Sequence, residues 1–420
     1  MNDAILNDDA LKRIHDLKET DILVGIPSFN NAGTIGHVVR AVQAGLSKYF
    51  PDRRSVIVNS DGGSTDHTVE IVQKAAIEDF ESILVTHGRE SVFKISTPYH
   101  GIPGKGSAFR TIFRMAEMLQ AKACIVVDSD LRSITPEWVE LLVKPVLKGN
   151  FDFVSPLYHR HKYDGTITNS IVYPLTRALY GKQVRQPIGG DFGFSGELAS
   201  FYLAKDVWDT DVAKFGIDIW MTTTAIANGF RVCQSFLGAK IHDAKDPGAD
   251  LSAMLNQVVG AAFDLMEEYP AVWKERTGSS PVPTFGFTYA VGLEPVSVNL
   301  PRMIERFRLG VKELSVIWSK FLPGDAMDYL AWTAELSEAD FSFADETWAG
   351  IIYSFALAAH TGAINREHLL KAMTPLYIGR TAAFVKETRE SDAGQVEDKI
   401  EGLCRLFEDK KHFLCENWQV

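Results

Sequence analysis

The stretch Ala123-Cys124-Ile125-Val126-Val127-Asp128-Ser129-Asp130 is an apolar run that ends in two carboxylates. Such a run bounded by a polar turn reads as a buried strand. A carboxylate pair at its mouth is a hard-oxygen site suited to Mg²⁺ or Mn²⁺. A metal held there could bridge a diphosphate and neutralise it as it leaves. An acidic turn capping the next helix is the plainer alternative, and an Asp-x-Asp alone does not separate the two. What flanks the stretch decides the fold. Upstream, 21–26, 55–58 and 82–86 read as strands. Between the first two, Ile35, Val38, Val39, Val42 and Leu46 recur at helical spacing, and 65–76 and 107–119 also read as helices. Downstream come a helix over 136–147, with Pro136 in its first turn, and a strand over 151–155. Strands alternating with helices predict an α/β chain with a mostly parallel sheet. In such sheets ligands bind beyond the carboxyl ends of the strands, so the strand-end loops are where chemistry belongs.

Four further loops carry candidate residues. Asn59-Ser60-Asp61-Gly62-Gly63-Ser64-Thr65-Asp66 follows the second strand. Its glycines permit a tight turn, Ser64 or Thr65 can cap the following helix, and Asp61 is then free to accept a base N–H. Gly101-Ile102-Pro103-Gly104-Lys105-Gly106-Ser107 is not a Walker loop. Tyr99 stands where that pattern needs glycine, and Gly106 where it needs Ser or Thr. The loop can still bring the Lys105 ammonium to a nucleotide; a surface turn is the alternative. Arg185-Gln186-Pro187-Ile188-Gly189-Gly190-Asp191 and Phe215-Gly216-Ile217-Asp218 pair close-approach glycines with acceptors, Asp191 and Asp218, for hydroxyl groups. His242 follows the strand-like 231–236, and a neutral imidazole at a strand end could complete a metal shell. The first strand leads into Gly25-Ile26-Pro27-Ser28-Phe29-Asn30, not a G-x-G-x-x-G, so a dinucleotide-binding reading loses its support. There is no G-x-S-x-G elbow and no H-E-x-x-H.

The 420 residues suit one large α/β domain and an appendage, and we expect domains at 1–278 and 279–420, split at the turn-like 278–283. Beyond it the pattern is helical: Val311, Leu314, Trp318 and Phe321 mark one face, and 346–360 and 366–386 look similar. The formal charge of −11 argues against nucleic acid or an anionic membrane as the main partner. Cys124, Cys233, Cys404 and Cys415 form no C-x-x-C pair and read as free thiols of a reducing compartment. The polar N-terminus lacks an apolar core for a secretory signal, and 348–364 is interrupted by Ser354, His360 and Thr361. A cytoplasmic protein without a membrane span is the expectation.

Taken in order from 21 to 258, these motifs resemble the GT-A-fold glycosyltransferases. The likeness is greatest to the retaining group containing the glucosyl-3-phosphoglycerate and mannosylglycerate synthases, whose helical tail the chain's own also resembles. It rests on 26–30, 60–66, 103–106, 127–130, 186–191, 216–218 and 241–242. The resemblance implies a GT-A domain with a C-terminal helical appendage. It also implies a UDP- or GDP-hexose donor with glucose or mannose, and divalent Mg²⁺ or Mn²⁺. Pro27, Ser28, Asn30, Asp61, Lys105, Asp128 and Ser129 would hold the nucleotide sugar, Asp128 taking the ribose or hexose. Asp130 and His242 would bind the metal; Gly189, Gly190 and Asp191 would line the sugar pocket; Asp218 would orient the acceptor with Thr168 and Arg160. Related enzymes imply a homodimer. Two positions depart from the pattern. Asp191 stands where these families commonly carry Glu, and Thr166 where the phosphoglycerate enzymes place an arginine for the acceptor phosphate. Without that guanidinium a strong bidentate phosphate contact is gone, which favours an unphosphorylated acceptor such as D-glycerate. Arg160, Lys162 or Arg185 remain able to supply the charge. A sugar nucleotidyltransferase would show a Gly-rich loop at the first strand end, and a non-catalytic sugar-nucleotide binder would need neither Asp130 nor His242.

Overall fold

The computed structural model describes residues 5–75, 92–99, 102–241, 251–289 and 292–418. The first elements are α1 (Asp8–Leu17), β1 (Ile22–Ser28), α2 (Ile35–Tyr49), β2 (Ser55–Asp61), α3 (Thr68–Lys74), β3 (Phe93–Pro98), α4 (Lys105–Met118), β4 (Ala123–Val126), α5 (Pro136–Gly149) and β5 (Phe153–His159). Then come α6 (Tyr173–Tyr180), β6 (Lys182–Gln183), β7 (Phe192–Ser195), α7 (Gly196–Leu203), α8 (Ile217–Ala227), β8 (Val232–Ala239), α9 (Ser252–Glu268), α10 (Pro270–Lys274), β9 (Ser280–Pro281) and β10 (Thr284–Phe285). The remainder is helical: α11 (Leu300–Trp318), α12 (Gly324–Glu335), α13 (Asp345–Thr361), α14 (Arg366–Glu387) and α15 (Ala393–Asn417).

Eight strands form one sheet in the order β10-β8-β5-β7-β4-β1-β2-β3. All neighbours run parallel except β7, which is antiparallel to both β4 and β5. The expected strand at 82–86 lies outside the described residues. β3, which the sequence reading passed over, is the edge strand, and only Ile95 and Thr97 of it are buried. An edge strand with one buried face carries half the apolar signal of β1, whose seven residues are all buried. The helix expected from 65 begins at Thr68, because the preceding residues are held in a turn described below.

The alternation within β1 builds two layers. Ile22, Val24 and Ile26 pack into a core with Val38, Val39 and Val42 of α2 and Trp138, Val139 and Leu142 of α5. Gly25 faces the other way, toward Ile112 of α4. On that side Phe113 meets Phe194, Tyr202 and Trp208 ring to ring. Burying one such Phe stabilises by about 1.5–3 kcal/mol.

The contacts divide the chain into two compact units. One comprises 1–160, 188–243 and 282–293; the other 161–187, 244–281 and 294–420. Segment 161–187 goes with the second because its cations find their partners there. Arg177 binds Glu401 and Glu408, Nε to Glu408 at 2.8 Å, and Arg185 makes a forked pair with Glu397 at 2.7 and 3.0 Å. Among the described residues no helix is long and apolar enough to cross a membrane. Cys124, Cys233 and Cys404 are buried free thiols and Cys415 is a half-buried one.

Candidate active site

Three strand ends of the α/β unit converge on a buried ion cluster. Asp128 follows β4, Lys240 follows β8, and Gly189-Gly190-Asp191 precede β7. Because β7 is antiparallel, its start lies at the same edge as the parallel strands' ends. Lys240 Nζ, with a side chain only 3% exposed, reaches Asp128 Oδ2 at 2.7 Å, Asp191 Oδ2 at 2.7 Å and the Gly189 carbonyl at 2.8 Å. The Asp128 backbone N–H donates to Asp191 Oδ1 at 2.8 Å, and the Tyr158 hydroxyl donates to Asp191 Oδ2.

Lys105, the first residue of α4, joins from the other side. Its Nζ lies 2.9 Å from Asp128 Oδ1 and 3.2 Å from Asp218 Oδ1. Gly106 allows this placement: a Cβ there would strike the Val212 carbonyl, so only glycine lets the start of α4 sit against the loop leading to Asp218. Three carboxylates thus share two ammonium groups, leaving one negative charge in excess.

That excess falls on Asp218. Burial would lower the ammonium of Lys105, but Asp128 and Asp218 hold it above the usual lysine range. Burial likewise opposes Lys240, which Asp128 and Asp191 raise. Asp128 feels burial, which raises it, yet Lys105 and Lys240 together pull it far below the usual carboxylate range. For Asp218, burial and the neighbouring Asp128 outweigh Lys105, so its carboxyl is held above that range. A raised carboxyl binds its proton more tightly folded than unfolded, so its contribution is fully present below the unfolded aspartate pKa and is lost as pH rises through the folded pKa. Asp218→Asn is therefore expected to raise stability at pH 7 by about 1 kcal/mol, typical of a relieved functional site. The gain should vanish below the unfolded aspartate pKa. Urea melts at pH 7 and pH 3.5 check this, and a loss of stability at pH 7 would contradict it.

Gly190 has φ +88°, a left-handed conformation, and a Cβ there would strike Asp128 Oδ2 and lie 2.9 Å from Lys240 Nζ. Gly190→Ala should cost about 1–3 kcal/mol and push apart the Asp128–Lys240 pair. A melt within 0.5 kcal/mol of wild type would show that the loop relaxes freely.

The other candidates form separate groupings. Asp61 is not free. Its Oδ1 accepts from Ser28 Oγ at 2.8 Å and Ser64 Oγ at 2.7 Å, and its Oδ2 from the N–H groups of Gly63 at 2.9 Å and Ser64 at 2.8 Å. Ser64 and Thr65 are spent on this turn and do not cap α3. Asn30 N–H donates to Ser64 Oγ at 2.8 Å, and its Oδ1 accepts from Thr65 N–H at 2.9 Å. Pro27 and Ser28 end β1, and Ser129 Oγ donates to Asn31 Oδ1 at 2.7 Å. Asp130 is half-buried two residues past Asp128. Arg160 lies 5.3 Å from the centre of the Tyr158 ring. His242 lies outside the described residues. In the helical unit, Thr168 is buried at the start of a π-helical turn. There Thr166 Oγ1 meets the Tyr377 hydroxyl at 2.5 Å, and Lys162 Nζ donates to the carbonyls of Thr388, Arg389 and Ser391 at 2.6, 2.9 and 3.1 Å. Lys240 and Tyr158 were not singled out from the sequence. The available signal was a lysine closing the apolar run 232–239.

Residues 23–207 match the family described as glycosyl transferase family 2. The chain is a glycosyltransferase. The matched stretch takes in Asp61, Lys105, Asp128, Asp130 and Asp191, and ends before Asp218 and Lys240. The mostly parallel sheet has the GT-A arrangement, with the helical C-terminal region following it. Among solved structures, the glycosyltransferase is similar to glucosyl-3-phosphoglycerate synthase from Mycobacterium tuberculosis in complex with Mn²⁺, UDP and glucosyl-3-phosphoglycerate. The identity is 23% and the TM-score 0.45, over 60% of this chain and 83% of that one. With the same enzyme in complex with Mg²⁺ and UDP, identity is 22% and the TM-score 0.43, over 60% and 83%. No curated protein matches the glycosyltransferase by sequence.

Proposed function

We propose that this glycosyltransferase moves a glucose or mannose residue from a UDP- or GDP-linked donor to D-glycerate or a similar small hydroxy acid, with retention of configuration. The observation that supports the reading is the ion cluster of Lys105, Asp128, Asp191, Asp218 and Lys240 at the carboxyl edge of the sheet, with Lys105, Asp128 and Asp191 inside the stretch that matches family 2. Asp128, fixed by two ammonium groups and kept ionised, is shaped to accept from the hydroxyls of a ribose or hexose. Lys105 can turn its ammonium from a carboxylate to a phosphate oxygen of the donor. Lys240 and Tyr158 hold Asp191 and the Gly189–Gly190 turn, and so fix the wall of the sugar pocket. Asp218, the carboxylate least compensated by positive charge, orients the acceptor hydroxyl.

Among the described residues no three His, Cys, Asp or Glu side chains converge on a metal position. A divalent ion carried largely by substrate phosphates needs only one or two protein carboxylates, and Asp130 beyond β4 fits that donor set, with His242 as the further proposed ligand. Bound there, Mg²⁺ or Mn²⁺ would supply charge neutralisation at the diphosphate. The transfer breaks the bond from the anomeric carbon to the diphosphate oxygen and forms one to the acceptor oxygen on the same face. The acceptor proton passes to the departing diphosphate. No carboxylate nucleophile is needed, in contrast to retaining hydrolases.

The free acid is favoured over a phosphorylated acceptor because two of the three candidate cations are committed. Lys162 caps the end of α14 and Arg185 is forked onto Glu397. Thr168 and Arg160 remain the proposed acceptor contacts. A cytoplasmic homodimer completes the proposal. The test offers UDP-glucose, GDP-glucose and GDP-mannose, each with glycerate and with 3-phosphoglycerate, in Mg²⁺ or Mn²⁺. Glycosylglycerate as the main product is expected. A large preference for 3-phosphoglycerate would overturn the acceptor assignment, and no turnover of any donor would overturn the substrate class.

A further inference from the structure

Helix α11 of the helical unit is packed on one side only. Met303, Ile304, Phe307, Gly310 and Trp318 are its buried residues. A Cβ on Gly310 would strike Pro375 of α14, and Trp318 Nε1 donates to the Ala372 carbonyl at 3.1 Å. On its flank, Arg308 Nε donates to the Ala334 carbonyl of α12 at 3.0 Å. The opposite side carries Arg302, Glu305, Leu309, Lys312, Glu313 and Val316, with Lys320 just past the helix end, and all seven are exposed. At 3.6 residues per turn they fall within a stripe about 100° wide. Leu309 is 57% and Val316 74% exposed, one heptad apart on the same line. Trp332 of α12, two residues before Ala334, is 54% exposed. Single exposed apolar residues are ordinary, so the charges set among them decide the matter. Among the described residues Glu305, Lys312, Glu313 and Lys320 form no ion pair within the chain.

These charges are self-complementary. A two-fold axis makes residue i of one copy face residue j of the other, and j face i. Let two α11 helices run antiparallel with the axis between Lys312 and Glu313. Leu309 then faces Val316, Lys312 faces Glu313 and Glu305 faces Lys320, each twice. Neighbouring registers are worse. Setting Leu309 on itself brings Glu305 against Glu313, and setting Val316 on itself brings Lys312 against Lys320. Of these three registers only the first opposes unlike charges throughout, and like charges brought together select against the other two.

We propose that two copies of this glycosyltransferase associate through α11, antiparallel, about a two-fold axis between Lys312 and Glu313. The proposal rests on the homodimer of the preceding section and names its surface. From Glu305 to Lys320 the stripe runs about 22 Å, less than an obligate interface needs. The association is therefore of micromolar strength, with Leu309, Val316 and Trp332 supplying the apolar contact and the ion pairs the register.

The test is sedimentation of the full chain and its variants. Wild type is expected to dimerise in the micromolar range. Val316→Asp sets a carboxylate against Leu309 at both contacts and should weaken the dimer at least about 100-fold. Glu305→Lys and Lys320→Glu should each weaken it about tenfold, and the two together should restore it. All three positions are exposed, so each variant should melt like wild type. A Val316→Asp chain that dimerises as well as wild type would overturn this surface and leave the homodimer standing. A double charge variant no better than the singles would overturn the antiparallel register. A wild type that stays monomeric throughout the micromolar range would overturn the homodimer and this surface with it.

Discussion

Lys240→Met is expected to cost about 3–5 kcal/mol of folding stability and to abolish transfer. Removing one partner of a buried ion pair leaves the other charge uncompensated, and losses of that size are usual. Here a single ammonium serves three acceptors, two of them carboxylates, and Asp191 is fully buried. Methionine fills the space but donates nothing. The dependence on pH gives the charge argument its own signature. In wild type the depressed Asp128 carboxyl stabilises the fold above the unfolded aspartate pKa, and that contribution is lost only as pH falls through its much lower folded value. Without Lys240 the Asp128 carboxyl takes up its proton at higher pH, which relieves the repulsion. Urea unfolding at pH 7 and pH 4.5 should therefore show a deficit that shrinks on acidification. Adding Asp191→Asn to Lys240→Met should recover part of the loss, because the two residues share one interaction. A deficit below 1 kcal/mol, or no recovery in the double variant, would mean that Lys240 is held by packing and not by charge.

The second large effect is on turnover. Asp130→Asn keeps the shape of the side chain and removes its charge. If Asp130 carries the metal, transfer should fall about 100- to 1000-fold, the scale of losing several kcal/mol of charge stabilisation in the transition state. The melting curve should stay within about 0.5 kcal/mol of wild type, as usual for a substitution outside the core. Binding supplies a readout besides activity. Mn²⁺ titrated in the presence of UDP or GDP should bind wild type markedly more tightly than the variant, with nucleotide affinity in the absence of metal the same for both. Full activity in Asp130→Asn would remove that residue from the metal shell.

The sequence disclosed the fold where chemistry and periodicity coincide. Apolar runs ending in polar loops identified β1, β2 and β4, and Lys105, Asp128, Asp191 and Asp218, singled out on such loops, meet in one ion cluster with Lys240. It did not disclose β3, whose half-buried pattern at the sheet edge resembles a loop. Nor did it disclose Lys240. A lysine closing a strand ordinarily lies in water, and only the fold shows that this one is enclosed by Asp128, Gly189 and Asp191. Asp61 was legible as part of a turn, but whether its oxygens were free depended on Ser28, which belongs to a different strand. Arg185 and Lys162 looked available for an acceptor because their partners lie more than 200 residues along the chain.

The reversed direction of β7 also dictates where this enzyme can absorb changes in length. Its four residues pair with β4 in the register Val126↔Phe192 to Ala123↔Ser195. Side chains alternate strictly between the faces of a sheet. Inserting or deleting one residue within 192–195 would turn the phenylalanine rings toward α5, where even a Cβ on Gly193 would strike the Leu142 carbonyl, and with them rotate Asp191 away from Lys240. A residue added ahead of Gly189 would leave that pairing intact. The sheet thus acts as a ruler with a single fixed mark, and natural variation in chain length should accumulate before the Gly189–Gly190 turn and be absent from 189–195.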